Sequence, residues 1–127
     1  MSGWEGLNRR KFPRVNFPCL VKIESVQNSR AILTHTENVS IGGVCVTLKE
    51  HFKAFYPVDL ELDLMDMDAH IKCSGKIVWC VQRKITESPK AFFYDTGIEF
   101  QNLSKEDKER IQKIVDHAAE NQSNPSN

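Results

Sequence analysis

The chain has 127 residues, which is enough for one domain with a hydrophobic core. Lysine plus arginine and aspartate plus glutamate are balanced at 17 each, so the chain lacks the basic surplus with which proteins bind long DNA or RNA. No apolar run approaches the ~20 residues of a membrane span and no signal-peptide pattern opens the chain, so we expect a cytoplasmic protein without membrane, DNA or RNA partners.

The densest positive run follows an N-terminal tail of residues 1–8 and contains Arg9, Arg10, Lys11 and Arg14. Pro13 disfavours a helix here. In an extended chain Arg10 and Arg14 project to the same side, with Cα atoms up to ~13 Å apart. The planar guanidinium of arginine carries several N–H donors, which can bind phosphate oxygens and guanine edges bidentately. The run therefore suits a dinucleotide-sized anion, although a solvated basic N-terminus gives the same pattern.

Six predicted strands follow, several of them with the two-residue periodicity of half-buried strands, and turns or loops separate them. A turn-forming group of Asn38, Ser40, Gly42 and Gly43 lies between the second and third of them. Because no helical pattern interrupts these strands, they predict an antiparallel barrel or sandwich. The predicted strands cover residues 17–26, 31–37, 44–48, 58–64, 69–82 and 91–101.

The end of the chain is predicted to be helical. Ser104 and Asp107 have the spacing of a capping box, with aspartate in place of the usual glutamate. An apolar stripe at helical spacing follows, which would pack on the strands. It consists of Ile111, Ile114, Val115 and Ala118. Residues 121–127 are polar and predicted to be disordered, so the folded domain is expected to span residues 9–120.

The cysteines and histidines do not indicate a metal centre or an active site. The four cysteines lie in apolar or alternating runs without a Cys-x-x-Cys pair, so we expect reduced, buried thiols and no structural zinc. Ser40 lies close to His35 in sequence, but no nucleophile-elbow or oxyanion-hole pattern surrounds them. We therefore expect a binding module and not an enzyme, with no cofactor.

Two motifs together resemble a known family. The pair Arg10-x-x-x-Arg14, followed by Asn38-x-Ser40-x-x-Gly43, resembles the signature of PilZ domains, which are bacterial receptors for cyclic di-GMP. Residues 75–79 and 96–100 look like later strands of that family, so the resemblance covers about residues 9–119. It implies a six-stranded antiparallel, Greek-key-like β-barrel with a C-terminal helix.

The resemblance also implies roles for individual residues. Arg10 and Arg14 would engage guanine faces and phosphates, and an arginine at position 9 is associated with binding an intercalated pair of ligand molecules. Asn38 and Ser40 would hydrogen-bond the ligand. The residues themselves indicate that Gly42 and Gly43 can adopt positive φ and let backbone N–H groups approach a ligand.

Trp79 has two interpretations. It continues the side of the strand that carries Ile71, Cys73 and Ile77, which alternation assigns to the core. A bulge near the strand end would instead turn its indole outward, where it could stack on a guanine. Both interpretations remain open from the sequence.

The sequence thus predicts a cytoplasmic, single-domain receptor for cyclic di-GMP. Ligand binding would change the conformation of the N-terminal arm and signal to a downstream protein. The family resemblance suggests control of motility or biofilm formation. The alternative is a small β-barrel that acts as a protein-interaction module without binding a nucleotide.

Overall fold

Alternation of apolar and polar residues builds six antiparallel strands, and each strand pairs with two neighbours. The computed structural model describes residues 15–25, 30–84 and 92–123. The strands close into a barrel in the order β1-β2-β3-β6-β5-β4, which confirms the predicted architecture. The elements are β1 Leu20–Ser25, β2 Ala31–Val39, β3 Gly43–Leu48, β4 Pro57–Asp63, β5 Ile71–Lys84, β6 Phe92–Phe100 and α1 Lys105–Ser123.

The barrel interior is filled by the inward-pointing residue of each alternating pair. On β4, for example, Val58, Leu60 and Leu62 are buried while Asp59 and Glu61 face outward. Such a core is sensitive to truncation, because each buried aliphatic side chain is surrounded by others. The principal members are Val21, Ile23, Val39, Val44, Val46, Leu48, Val58, Leu60, Leu62, Ile71, Ile77 and Ile98.

Helix α1 packs its apolar stripe against this core. Ile111 and Val115 are buried, while Ile114 and Ala118 are partly buried against the same cluster. The Asp107 backbone N–H donates to Ser104 Oγ at 3.1 Å, which confirms the predicted helix start. The helix ends at Ser123 and so extends beyond the predicted boundary at residue 120.

The four cysteines are free thiols, as expected, and three of them are buried. Burial raises the pKa of both Cys19 and Cys73 to about 11, because a thiolate would lose its hydration inside the barrel. These two residues therefore serve as small hydrophobic side chains. Among the described residues, no helix is both long and apolar enough to cross a membrane.

Candidate functional site

The second motif lies where β2 turns into β3. Asn38 is the penultimate residue of β2, and Gly43 is the first residue of β3. The buried Ser40 closes the turn between them: its backbone N–H donates to the Gly43 carbonyl at 2.9 Å. Its hydroxyl oxygen accepts from the N–H groups of Gly42 at 3.1 Å and Gly43 at 3.3 Å. Ser40 therefore fixes the direction in which these two amides point.

Gly43 is needed in this turn for a different reason from the one we expected. Among the described glycines none has a positive φ, so Gly42 and Gly43 do not use the left-handed conformation. Instead, a Cβ on Gly43 would overlap the backbone carbonyl oxygen of Ile98 on β6. Gly43 thus permits close approach of β3 and β6.

The chain that leads out of the first motif is fastened to the second motif. Val15 and Val39 form an antiparallel bridge, in which Val15 N–H donates to the Val39 carbonyl at 3.1 Å and Val39 N–H to the Val15 carbonyl at 3.0 Å. Further along, the buried Thr36 hydroxyl donates to the Phe17 carbonyl at 2.7 Å. Arg9, Arg10 and Arg14 themselves lie outside the described residues.

A row of four residues crosses the outer face of the barrel from this turn. On β3, Cys45 pairs with Asn38 of β2 on one side and with Gly97 of β6 on the other. Gly97 in turn pairs with Trp79 of β5. Cross-strand partners present their side chains to the same face of a sheet. That face is the outer one, because the residues on either side of Cys45 belong to the core. We refer to Asn38, Cys45, Gly97 and Trp79 as the transverse row.

Trp79 lies on the outer face because β5 contains a bulge. The register between β5 and β6 shifts between Ile77 and Trp79, so that Val78 is an extra residue. The shift reverses the alternation that placed Ile77 in the core. Trp79 is half-buried and does not belong to the core cluster. The assignment of Trp79 to the core by simple alternation is therefore wrong.

Gly97 makes room for the indole of Trp79. A Cβ at Gly97 would overlap Nε1, Cε2 and Cδ1 of the indole, so the ring lies directly across the backbone of β6. Sequence reasoning did not identify Gly97 as a site residue. A glycine in the middle of a strand, between Thr96 and Ile98, was the available signal, because such glycines mark close approach of another group.

The groups on this face are suited to binding a ligand. Within residues 15–25, 30–84 and 92–123, no three histidine, cysteine, aspartate or glutamate side chains are placed to hold a metal ion. What the outer face offers is an amide side chain at Asn38, oriented backbone N–H groups at the turn, and a broad indole at Trp79. Hydrogen-bonding groups beside an aromatic ring are the features with which proteins bind a nucleobase.

Comparison with solved structures shows the same fold in proteins of low sequence identity. The PilZ domain of YcgR from Escherichia coli, solved with c-di-GMP, superposes with a TM-score of 0.66 at 13% identity over 93% of this chain and 97% of that one. The Bacillus subtilis inhibitor of motility MotI/DgrA gives a TM-score of 0.72 at 18% identity, over 89% of this chain and 52% of that one. K. pneumonia MrkH in its apo state gives a TM-score of 0.75 at 16% identity, over 91% of this chain and 51% of that one.

The chain therefore spans about half the length of the MotI and MrkH proteins. No curated protein matches the sequence. The family model for the PilZ domain matches residues 8–117, which include both motifs, all six strands and most of α1. This chain belongs to the PilZ domain family.

Proposed function

We propose that the protein is a receptor for cyclic di-GMP and binds it on the outer face that carries the transverse row. The observation that carries the proposal is the bridge between Val15 and Val39, which fastens the chain directly after the arginine motif to the strand that bears Asn38. The solved complexes of the YcgR PilZ domain and of MrkH with c-di-GMP support the same ligand class.

Chain connectivity brings the arginines within reach of this face. The Cα atom of Arg14 is one peptide from that of Val15, about 3.8 Å away, and that of Arg10 is at most ~18 Å away. Arginine side chains can hold phosphates bidentately and stack on bases. We therefore assign Arg10 and Arg14 to the phosphates and guanine faces of the ligand.

The residues of the barrel would complete the site. Asn38 offers both a donor and an acceptor to a base edge. Ser40 orients the N–H groups of Gly42 and Gly43, and its own hydrogen faces the Gly43 carbonyl at 3.5 Å, a separation too long for a strong bond. We assign that hydrogen to a ligand oxygen in the complex. Trp79 supplies a ring on which a guanine can stack.

Calorimetric titration with cyclic di-GMP tests the proposal. We expect binding by the wild type and at least a tenfold loss of affinity for Arg10→Ala, Arg14→Ala and Asn38→Ala, because each removes hydrogen bonds to a charged or polar ligand. Arg30→Ala is the matched control, since Arg30 is exposed, directly precedes β2 at the end away from Asn38 and pairs with Glu50. A folded wild type that does not bind would leave a PilZ barrel acting through protein contacts alone.

The stoichiometry of the complex is a separate part of the proposal. We assign Arg9 to the binding of a second, intercalated ligand molecule. The wild type would then bind two ligands per chain, and Arg9→Ala would bind one. A ratio of one for the wild type would contradict this assignment without affecting the receptor function.

Signalling would proceed through the N-terminal arm to a downstream protein. Ligand contacts with the arginines would change the conformation of the arm and with it the surface offered to a partner. Trypsin cleavage after Lys11 should become slower at saturating cyclic di-GMP. Equal cleavage rates with and without ligand would contradict this mechanism. Motility is the process named for the Bacillus protein, and motility or biofilm formation is the process we propose for this one.

A further inference from the structure

Four side chains from four neighbouring strands meet beside the transverse row. The Thr47 hydroxyl on β3 lies 3.3 Å from Glu37 Oε2 on β2 and 3.1 Å from Asp95 Oδ1 on β6. Arg83 on β5 donates to the same hydroxyl at 3.3 Å and lies 3.4 Å from Asp95. We call these residues the Thr47 cluster. Its two carboxylates compete for one hydroxyl hydrogen.

Of the two carboxylates, Glu37 is the one left to accept from another molecule. Asp95 has both the shorter contact to Thr47 and the ion pair with Arg83. Among the described residues, no lysine or arginine lies within 4.0 Å of the Glu37 carboxylate. Glu37 is also exposed, so its carboxylate reaches solvent above the barrel. The Glu37 carboxylate is therefore an anionic hydrogen-bond acceptor beside the transverse row.

The position of Glu37 relative to the proposed site follows from a second bulge. The register of β2 against β3 shifts between Thr36 and Asn38, which makes Glu37 the extra residue directly before Asn38. Thr47 lies two residues beyond Cys45 on β3, about 7 Å along the strand on the same face. The Glu37 carboxylate therefore borders the region in which a base held by Asn38 would lie.

The chemistry of a carboxylate distinguishes guanine from adenine. The Watson–Crick edge of guanine presents two adjacent donors, N1–H and N2–H, whereas adenine presents an acceptor at N1. A carboxylate accepts only, so it matches the first edge and is left facing a lone pair on the second. The Asn38 amide both donates and accepts, so it can pair with either base. Asn38 alone does not provide the discrimination.

We propose that Glu37 is the specificity-determining residue of the site and accepts hydrogen bonds from N1–H and N2–H of one guanine. Before the ligand arrives the Thr47 hydroxyl can donate to either carboxylate, and it donates to Asp95 when Glu37 turns to the base. This inference rests on the proposed function and adds a base-reading residue outside both sequence motifs.

A double-mutant cycle between protein and ligand tests it. The wild type and Glu37→Ala are titrated calorimetrically with cyclic di-GMP and with cyclic di-IMP, which lacks the 2-amino group of guanine. We expect Glu37→Ala to lower the affinity for cyclic di-GMP by about 10-fold to 100-fold, as for loss of hydrogen bonds to a charged group. We also expect the wild type to prefer cyclic di-GMP over cyclic di-IMP by roughly tenfold, and the variant to bind the two within about threefold of each other.

Glu50→Ala is the matched control for removing one negative charge from a receptor for an anion, because Glu50 pairs with Arg30 away from the transverse row. It should leave the preference between the two ligands unchanged. An equal preference in the wild type and in Glu37→Ala would overturn the assignment of Glu37 while leaving the receptor function intact. Absence of cyclic di-GMP binding by the folded wild type would overturn both.

Discussion

The two sides of the barrel follow different rules. On the outer face of β1 and β4, regular alternation places Lys22 opposite Glu61, with 3.6 Å between the ammonium nitrogen and the carboxylate. The same carboxylate lies 2.8 Å from the imidazole of His70, which directly precedes β5. On the outer face of β2, β3, β6 and β5, bulges at Glu37 and Val78 interrupt the alternation. On the regular side Glu61 is paired, whereas the bulged side carries, beside the Arg83–Asp95 ion pair, a half-buried amide, a half-buried indole and the exposed carboxylate of Glu37.

This difference shows what the bulges contribute. A bulge adds one residue to a strand and re-aims the side chains beyond it, at the cost of a gap in the hydrogen-bond ladder. Here one bulge turns Trp79 out of the core, and the other places Glu37 next to Asn38. If the bulges serve ligand binding, the outward-facing residues that they re-aim should affect binding far more than stability, and the buried residues beside them should do the opposite.

Truncation on the two sides of the β5 bulge should give the largest contrast. Ile77→Ala removes a fully buried side chain and should lower the free energy of unfolding by about 2–5 kcal/mol, measured by urea denaturation. Trp79→Ala removes a ring outside the core cluster and should weaken cyclic di-GMP binding by ~1–3 kcal/mol, as for loss of base stacking. If Trp79→Ala destabilised the fold as much as Ile77→Ala, the outward placement of the indole would be wrong.

Two glycine substitutions should have effects of intermediate magnitude and compare the two kinds of contact directly. Gly43→Ala forces a Cβ against backbone, which cannot move without separating β3 from β6, so we expect unfolding to become easier by about 3 kcal/mol. In Gly97→Ala the three nearest atoms that the new Cβ would meet belong to the side chain of Trp79 and not to backbone, so we expect a shift of the indole to relieve the overlap. Gly97→Ala should lower the free energy of unfolding by about 1 kcal/mol or less. It should weaken ligand binding by more than this, because it displaces the indole. The opposite order in thermal unfolding would contradict these contacts.

The smallest effect is expected on the regular side of the barrel. The hydrogen bond from His70 holds the pKa of Glu61 below its ordinary value, with further help from Lys22 and Lys72. A carboxyl group with a depressed folded-state pKa stabilises the protein above its unfolded pKa, and this contribution is lost as the pH falls through the folded value.

Glu61→Gln should therefore lower Tm slightly at pH 7, and the difference from the wild type should shrink as the pH falls below the ordinary glutamate pKa of about 4.3. The exposed position of the pair keeps the effect small. Cyclic di-GMP affinity should be the same in both proteins. A difference in Tm that does not shrink in acid, or a change in affinity, would contradict the separation of the two sides.

The elements that the sequence predicted well are those with local signals. Alternation on β4 located the buried Val58, Leu60 and Leu62, and the Ser104–Asp107 spacing located the start of α1. These features depend on neighbours within a few residues. The family resemblance then placed them in a six-stranded barrel, which the topology confirms.

The elements that escaped prediction depend on register between strands. Nothing in the sequence near Trp79 reveals the extra residue at Val78, because a bulge is defined by its partner strand. The same holds for the Thr47 cluster, whose four members come from four strands. The second motif was recognisable in the sequence. The sequence does not show, however, that the Ser40 hydroxyl accepts from the amides of its own turn.

A titration followed by amide and indole resonances in two-dimensional 15N NMR tests the central claim most directly, because it reports on both sides of the barrel at once. With cyclic di-GMP we predict the largest shifts at the Gly42 and Gly43 amides, at Gly97 and at the Trp79 indole N–H. The amides of Lys22, Glu61 and His70 should stay where they are. Shifts concentrated on β1 and β4, or no shifts at saturating ligand, would contradict the assignment of the bulged side as the binding face.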